Sequence, residues 1–240
     1  MSLAGKKVVV IGGSSGIGLA AAKAALAEGA DVVITGRSEE RLQNAQNELG
    51  GKVRAVALDA NDEAGTRALF EDLGQVDHVF FTAATLTFDP RLAIDSAAIR
   101  SAIDTRFWGS YYVAKYAAPK MPSDGSITLT TGTASRKPLP GLAVVSASCG
   151  AVEALARALA LELAPIRVNV IAPGLIDTPL HERMMGGKER AAKRIADTAA
   201  RLPLKRAGQP EDIAEAVLFL MKNRFATGIT LTVDGGHMLV

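Results

Sequence analysis

The sequence predicts a doubly wound parallel α/β sheet, and three observations predict it. Short β-branched runs alternate with longer helical patterns along the chain. Most of those runs are continuously apolar rather than alternating, as strands covered by helices on both faces must be. A glycine-rich turn, GGSSGIG, separates the first run from the first helical pattern.

The strand-like runs are, in order, KKVVVIGG, ADVVITG, KVRAVALD, DHVFFTAA, SITLTTG, RVNVIAP and ITLTVDGG. Between them, GIGLAAAKAALAEGA and SEERLQNAQNELGG each end at glycines, as helices often do. In VVSASCGAVEALARALALELAP, Val152, Leu155, Leu159 and Leu163 recur at helical spacing and Pro165 closes the pattern. EDIAEAVLFLMKN follows Pro210, a favourable first helical residue. The β-α alternation implies seven parallel strands with helices on both faces, a three-layer α/β/α arrangement. Neither composition nor repeats divide the chain, so one domain is expected over residues 1–240. HERMMGGKERAAKRIADTAA is the one insertion-like segment, and its Gly186-Gly187 pair marks a lid-like excursion at about 179–202.

The 240 residues carry 27 basic and 25 acidic side chains, a formal net charge of +2. That balance gives no argument for a nucleic-acid or membrane partner. One cysteine excludes an internal disulfide and suits a reducing compartment. No apolar run approaches the ~20 residues that span a bilayer. The start, MSLAGKKVVVIGG, lacks the pattern of a signal peptide, so a cytoplasmic location is expected.

Gly12, Gly16 and Gly18 fall at the first strand-to-helix turn, with Ser14 and Ser15 filling the loop. Such a turn lets phosphates approach the backbone, and the helix N-terminus stabilises their charge. A dinucleotide is the expected ligand. At the end of the second strand, where a carboxylate usually holds the ribose hydroxyls, Gly36 is followed by Arg37. A guanidinium there favours a 2′-phosphate, hence NADP(H) over NAD(H). The competing reading is a solvated arginine paired with Glu39 or Glu40. No metal site is expected, because His78 and His237 sit beside strand ends without ligand partners at useful spacing.

These motifs together resemble the short-chain dehydrogenase/reductase family over nearly the whole chain. GGSSGIG resembles its glycine motif, LDAND places Asp59 where the family has an acid beside the adenine, and RVNVIAPGLIDTPL resembles its Pro-Gly segment. LPLKRAGQPEDIAEAVLFL and GITLTVDGG resemble its C-terminal blocks. The resemblance implies a Rossmann-type fold, a nicotinamide cofactor, a small-molecule substrate and a homotetramer or homodimer. The cofactor contacts it implies are Gly12, Ser14, Ser15, Gly16, Ile17, Gly18, Arg37, Ser38, Asp59, Ala83, Ala84, Pro173, Gly174, Ile176 and Thr178.

The family's working side chains do not carry over. Its proton-transferring Tyr falls on Val145, the Lys four residues later on Cys149, its Ser on Gly132 and its Asn on Arg106. FFTAAT likewise departs from the family's Asn-Asn-Ala-Gly. Two Tyr-x-x-x-Lys patterns, Tyr111 to Lys115 and Tyr116 to Lys120, lie on an earlier helix and read as chance matches. Arg106 is permanently charged, so it would stabilise an oxyanion, fix an acidic substrate or bind helix carbonyls, but not donate a proton. Cys149 is either a reactive thiol near a helix start or small buried packing. His181 is an acid–base group near the substrate mouth or a surface residue of the lid, and Met184 and Met185 suit an apolar substrate lid or a packed helix. Two functions follow: an oxidoreductase of altered chemistry, or a catalytically silent cofactor-binding protein acting as a redox sensor or a non-catalytic oligomer subunit.

Overall fold

Each of the seven runs forms a strand: β1 (Lys7–Ile11), β2 (Asp31–Gly36), β3 (Arg54–Ala57), β4 (His78–Phe81), β5 (Ser126–Thr130), β6 (Arg167–Pro173) and β7 (Thr230–Val233). In this computed structural model the described residues are 2–85, 93 and 95–240. All strand pairings are parallel, in the order β3-β2-β1-β4-β5-β6-β7. The chain winds outward from β1 to β3, then returns to β4 and winds the other way. That reversal opens a crevice beyond the carboxyl ends of β1 and β4, where ligands of open α/β sheets bind.

The helices are α1 (Gly16–Ala27), α2 (Glu39–Glu48), α3 (Glu63–Leu73), α4 (Ser96–Ala117), α5 (Ala143–Glu162), α6 (Pro179–Met185), α7 (Lys188–Ala199) and α8 (Pro210–Lys222). Alternate residues of β1 enter opposite cores. Val8 and Val10 pack with α1 and α8 residues such as Ala22, Ala25, Ile213 and Val217. Val9 and Ile11 pack with Phe70, Val113, Val152 and Ala156 of α3, α4 and α5. Two covered faces explain why the strand sequences are apolar without alternation.

The sequence reading found no run able to cross a membrane. The 20-residue α5 does meet that test by length and composition. Its Val152, Ala156 and Leu159 are buried against Ile127 and Leu129 of β5 and Val168 and Val170 of β6. The apolar length is that of a core helix covering a sheet.

Gln209 begins α8, where its backbone amide donates to Asp212 Oδ2 at 2.7 Å. The insertion-like segment forms α6 and α7 between β6 and α8. They are joined at Gly186 and Gly187, whose φ values of +68° and +157° suit glycine.

Candidate functional site

Two cavities occupy the crevice. The first, of about 140 Å³, lies beyond β1 and β2. The turn that builds it depends on close backbone approach. Gly12 has φ +93°, and a Cβ there would stand 2.8 Å from the Ala83 nitrogen. A Cβ on Gly18 would stand 2.2 Å from the Gly12 carbonyl oxygen, so its absence lets α1 dock on the turn. Ser14, Ser15, Gly16 and Ile17 line the cavity, and Ser15, the N-cap of α1, makes no side-chain capping bond. Uncapped amides at a helix N-terminus, with a glycine cradle, fit a phosphate.

Arg37, from the end of β2, lines the same cavity and makes no ion pair with Glu39 or Glu40 among the described residues. Arg41 of α2 and Arg183 of α6 join it. Burial pulls the Arg183 pKa down, and Arg41 and Arg37 pull it further, with Glu182 opposing. Mutual repulsion of this kind marks guanidiniums gathered at one place. Asp59 also lines the cavity, its Oδ1 accepting from the Asn61 amide at 3.0 Å. Ala83 and Ala84 lie in the wall. Ser38 and Gly18 are outside the lining: the Ser38 hydroxyl caps α2, accepting from Arg41 N at 3.3 Å, and Gly18 serves the turn itself.

The second cavity, of about 220 Å³, opens under α6. Ile17, Thr82, Ala84, Thr178 and Leu180 line both cavities, so the two meet. Pro173, Gly174 and Ile176 line the second together with Arg106 of α4, Gly132 after β5, and Val145 and Cys149 of α5. A Cβ on Gly132 would meet only the Pro173 carbonyl, at 3.7 Å, so this position has room for a side chain. Arg106 is 4% exposed, and its Nη1 donates to Cys149 Sγ at 3.4 Å. Burial pushes the Cys149 thiol pKa up, Arg106 opposing and Glu153 adding to the rise. The thiol is therefore neutral near pH 7 and packed, not poised as a nucleophile. Glu153 itself is buried and accepts from Ser135 Oγ at 2.6 Å and from Thr131 Oγ1 at 3.5 Å. Among the described residues no helix carbonyl accepts from the Arg106 side chain, whose bond goes to Cys149 instead.

His181 and Met184 of α6 line this cavity too. Met185 does not, its Sδ accepting instead from Arg194 Nη1 at 3.7 Å. The His181 Nδ1 is buried without a hydrogen-bond partner among the described residues. Burial lowers its pKa, as does Arg194, against the Ile176 carbonyl and Asp177. His237 was placed by sequence only beside a strand end. The structure brings it across the cavity, with Nδ1 3.3 Å from Thr133 Oγ1. Lys137 Nζ donates to the His237 carbonyl at 2.6 Å. Burial and Lys137 lower the His237 pKa, with Asp234 opposing.

Sequence reasoning missed Arg41, Arg183, Lys137, Arg194 and the place of His237. Only Arg41 left a signal, in the first turn of the helical pattern that follows Arg37. The rest come from segments whose approach to the cavity is set by the fold. His78 faces the far end of the sheet, its Nδ1 2.8 Å from Ser126 Oγ. Tyr111 and Tyr116 line neither cavity. Tyr116 donates instead to Glu63 Oε1 at 2.7 Å, beside Lys115 Nζ at 2.8 Å. Among the described residues no three His, Cys, Asp or Glu side chains group to hold a metal ion.

The family model described as Enoyl-(Acyl carrier protein) reductase matches residues 11–238. A short-chain dehydrogenase/reductase of Stachybotrys chlorohalonatus is 34% identical over 254 residues, covering 99% of each chain. The NADP-dependent (R)-specific alcohol dehydrogenase of Lentilactobacillus kefiri is 32% identical over 253 residues, covering 98% of this chain and 97% of that one. The solved structure of a small-chain dehydrogenase in complex with NADPH has a TM-score of 0.85 and 34% identity, covering 98% of this chain and all of that one.

Proposed function

The chain belongs to the short-chain dehydrogenase/reductase family, and from that premise we propose that it is an NADP(H)-binding oxidoreductase working without the family's usual proton-donor tetrad. The meeting of the two cavities at Ile17, Thr82, Ala84, Thr178 and Leu180 carries this reading. One cavity offers a glycine cradle, helix amides and three arginines to phosphates. The other offers an apolar chamber at the far end of the same ligand. When bound, a nicotinamide supplies or accepts hydride there.

The residues of this chain define the rest. Arg37, Arg41 and Arg183 hold a 2′-phosphate, which favours NADP(H) over NAD(H). Pro173, Gly174, Ile176 and Thr178 border the nicotinamide side. Arg106, Gly132, Val145 and Cys149 stand where the family has Asn, Ser, Tyr and Lys. Valine has no proton to give, and general acid catalysis is worth ~10²–10⁴-fold. Ketone reduction is therefore crippled, and the acceptors of choice are activated alkenes or quinone-like rings that take their proton from water.

Residues 1–240 act as one domain, with α6 and α7 as the lid that carries Arg183 to one cavity and His181 and Met184 to the other. The exposed Trp108 and Tyr111 of α4, stacked edge to face, suit a contact between copies, a homodimer or homotetramer. The single cysteine suits the cytoplasm.

Titration of the purified protein with NADPH and NADH, followed by ketone, enone and quinone panels, tests the reading. NADPH binds more tightly, and turnover appears with enones or quinones before ketones. Tighter NADH binding overturns the assignment of the arginines. Ketone reduction at rates usual for the family overturns the role given to Val145.

A further inference from the structure

The second cavity combines an apolar wall with an unusual set of charges. Leu139, Leu142 and Leu175 supply the wall. Arg106, Lys137, Arg194, His181 and His237 supply all its ionisable groups besides Cys149, and no Asp or Glu among the described residues lines it. Glu153, on α5 one turn after Cys149, is occupied by Ser135 and Thr131, with Arg136 Nη2 at 3.9 Å.

Arg106 is the decisive member. The residue is 4% exposed, yet its side-chain partner among the described residues is a neutral thiol. Among the described residues it makes no ion pair with any carboxylate. A guanidinium has five N–H donors and cannot lose its charge. A buried charge left unpaired is costly, so such groups are ordinarily matched by a counter-charge. The open space against Arg106 is the cavity, and a ligand is what can supply that counter-charge.

We propose that the second cavity takes a small organic carboxylate with an apolar body, its carboxylate bound by Arg106. This rests on the oxidoreductase reading above for the cavity's role as substrate site. Lys137 and Arg194 add positive potential around the chamber, which concentrates anions without fixing their orientation. The planar fork of Arg106 fixes it, because it matches a carboxylate with two parallel hydrogen bonds. The apolar body then lies along the leucine wall.

The test uses matched pairs: butanoate with butanamide, hexanoate with hexanamide, and benzoate with benzamide. Each is titrated calorimetrically into the wild-type chain, with and without saturating NADPH. Each carboxylate binds at least tenfold more tightly than its amide. The preference disappears in Arg106→Gln and is partly kept in Arg106→Lys, which retains the charge without the fork. NADPH affinity is measured on each variant and stays within twofold of wild type, showing that the fold and first cavity persist. Equal binding of acid and amide by the wild type, or binding of neither at tens of millimolar, overturns the proposal even if both variants misfold. A preference that survives Arg106→Gln overturns the assignment to Arg106. Failure of the wild type to bind NADPH counts against the oxidoreductase reading alone, since the carboxylate preference is read without cofactor as well.

Discussion

Restoring the family's lysine by Cys149→Lys alone is expected to destabilise the fold, because position 149 is coupled to Arg106. Cys149 is 1% exposed and Arg106 4%, and Sγ to Nη1 is 3.4 Å. An ammonium brought within about 5 Å of the guanidinium, at an effective dielectric constant of about 20, is repelled by about 3 kcal/mol. The cost is capped, because the lysine can escape by losing its proton at about 4.6 kcal/mol at pH 7. For a chain of this length a loss of about 3 kcal/mol lowers Tm by roughly 6–12 °C. Arg106→Asn removes the opposing charge, so the double variant Arg106→Asn/Cys149→Lys recovers most of the loss. Urea unfolding of wild type, both single variants and the double variant gives the coupling energy directly. Single effects that add within about 0.5 kcal/mol would show that the two positions are independent and refute the reasoning. The same coupling predicts that Val145→Tyr/Cys149→Lys gains no ketone reductase activity until Arg106 is also replaced.

Three other outcomes are expected. Arg183→Gln weakens NADPH binding about tenfold, or about 1.4 kcal/mol, and leaves NADH binding unchanged, because it removes a cation beside the 2′-phosphate; equal weakening of both cofactors in fluorescence titrations would refute this. Burial, then Arg167, holds the His78 pKa at about 4 against an ordinary 6.5, with Asp77 opposing. Between those values the unfolded chain binds the proton more readily, so this contribution, about 3 kcal/mol, is full above about pH 6.5 and is lost as pH falls toward 4. Unfolding curves of wild type and His78→Gln should converge over that window, and parallel curves would exclude the effect. Finally, the buried, neutral Cys149 stays unmodified by a disulfide reagent in the folded protein at pH 7 and titrates as one thiol after denaturation; rapid labelling of the native chain would restore the reactive-thiol reading.

The sequence by itself determined the layers and the first cavity's core. The apolar runs between helical patterns read as strands covered on both faces, and all seven form, with the edge strands β3 and β7 only partly buried. GGSSGIG after the first run marked a tight strand-to-helix turn, and Gly12 and Gly18 do admit no Cβ there. Arg37 was legible because its meaning depends on a local position, the end of a strand. Helical periodicity tells which residues share a face but not what that face meets. Arg106 and Cys149 are 43 residues apart, and only the packing of α4 on α5 makes them partners. Thr133 and His237 are 104 residues apart and meet because β7 pairs with β6 at the edge of the sheet. Arg183 reaches Arg37 and Arg41 because α6 folds back over the crevice. Local sequence set the glycine turn that lines the first cavity, whereas the charge of the second cavity is a sum over distant segments that only the tertiary structure assembles.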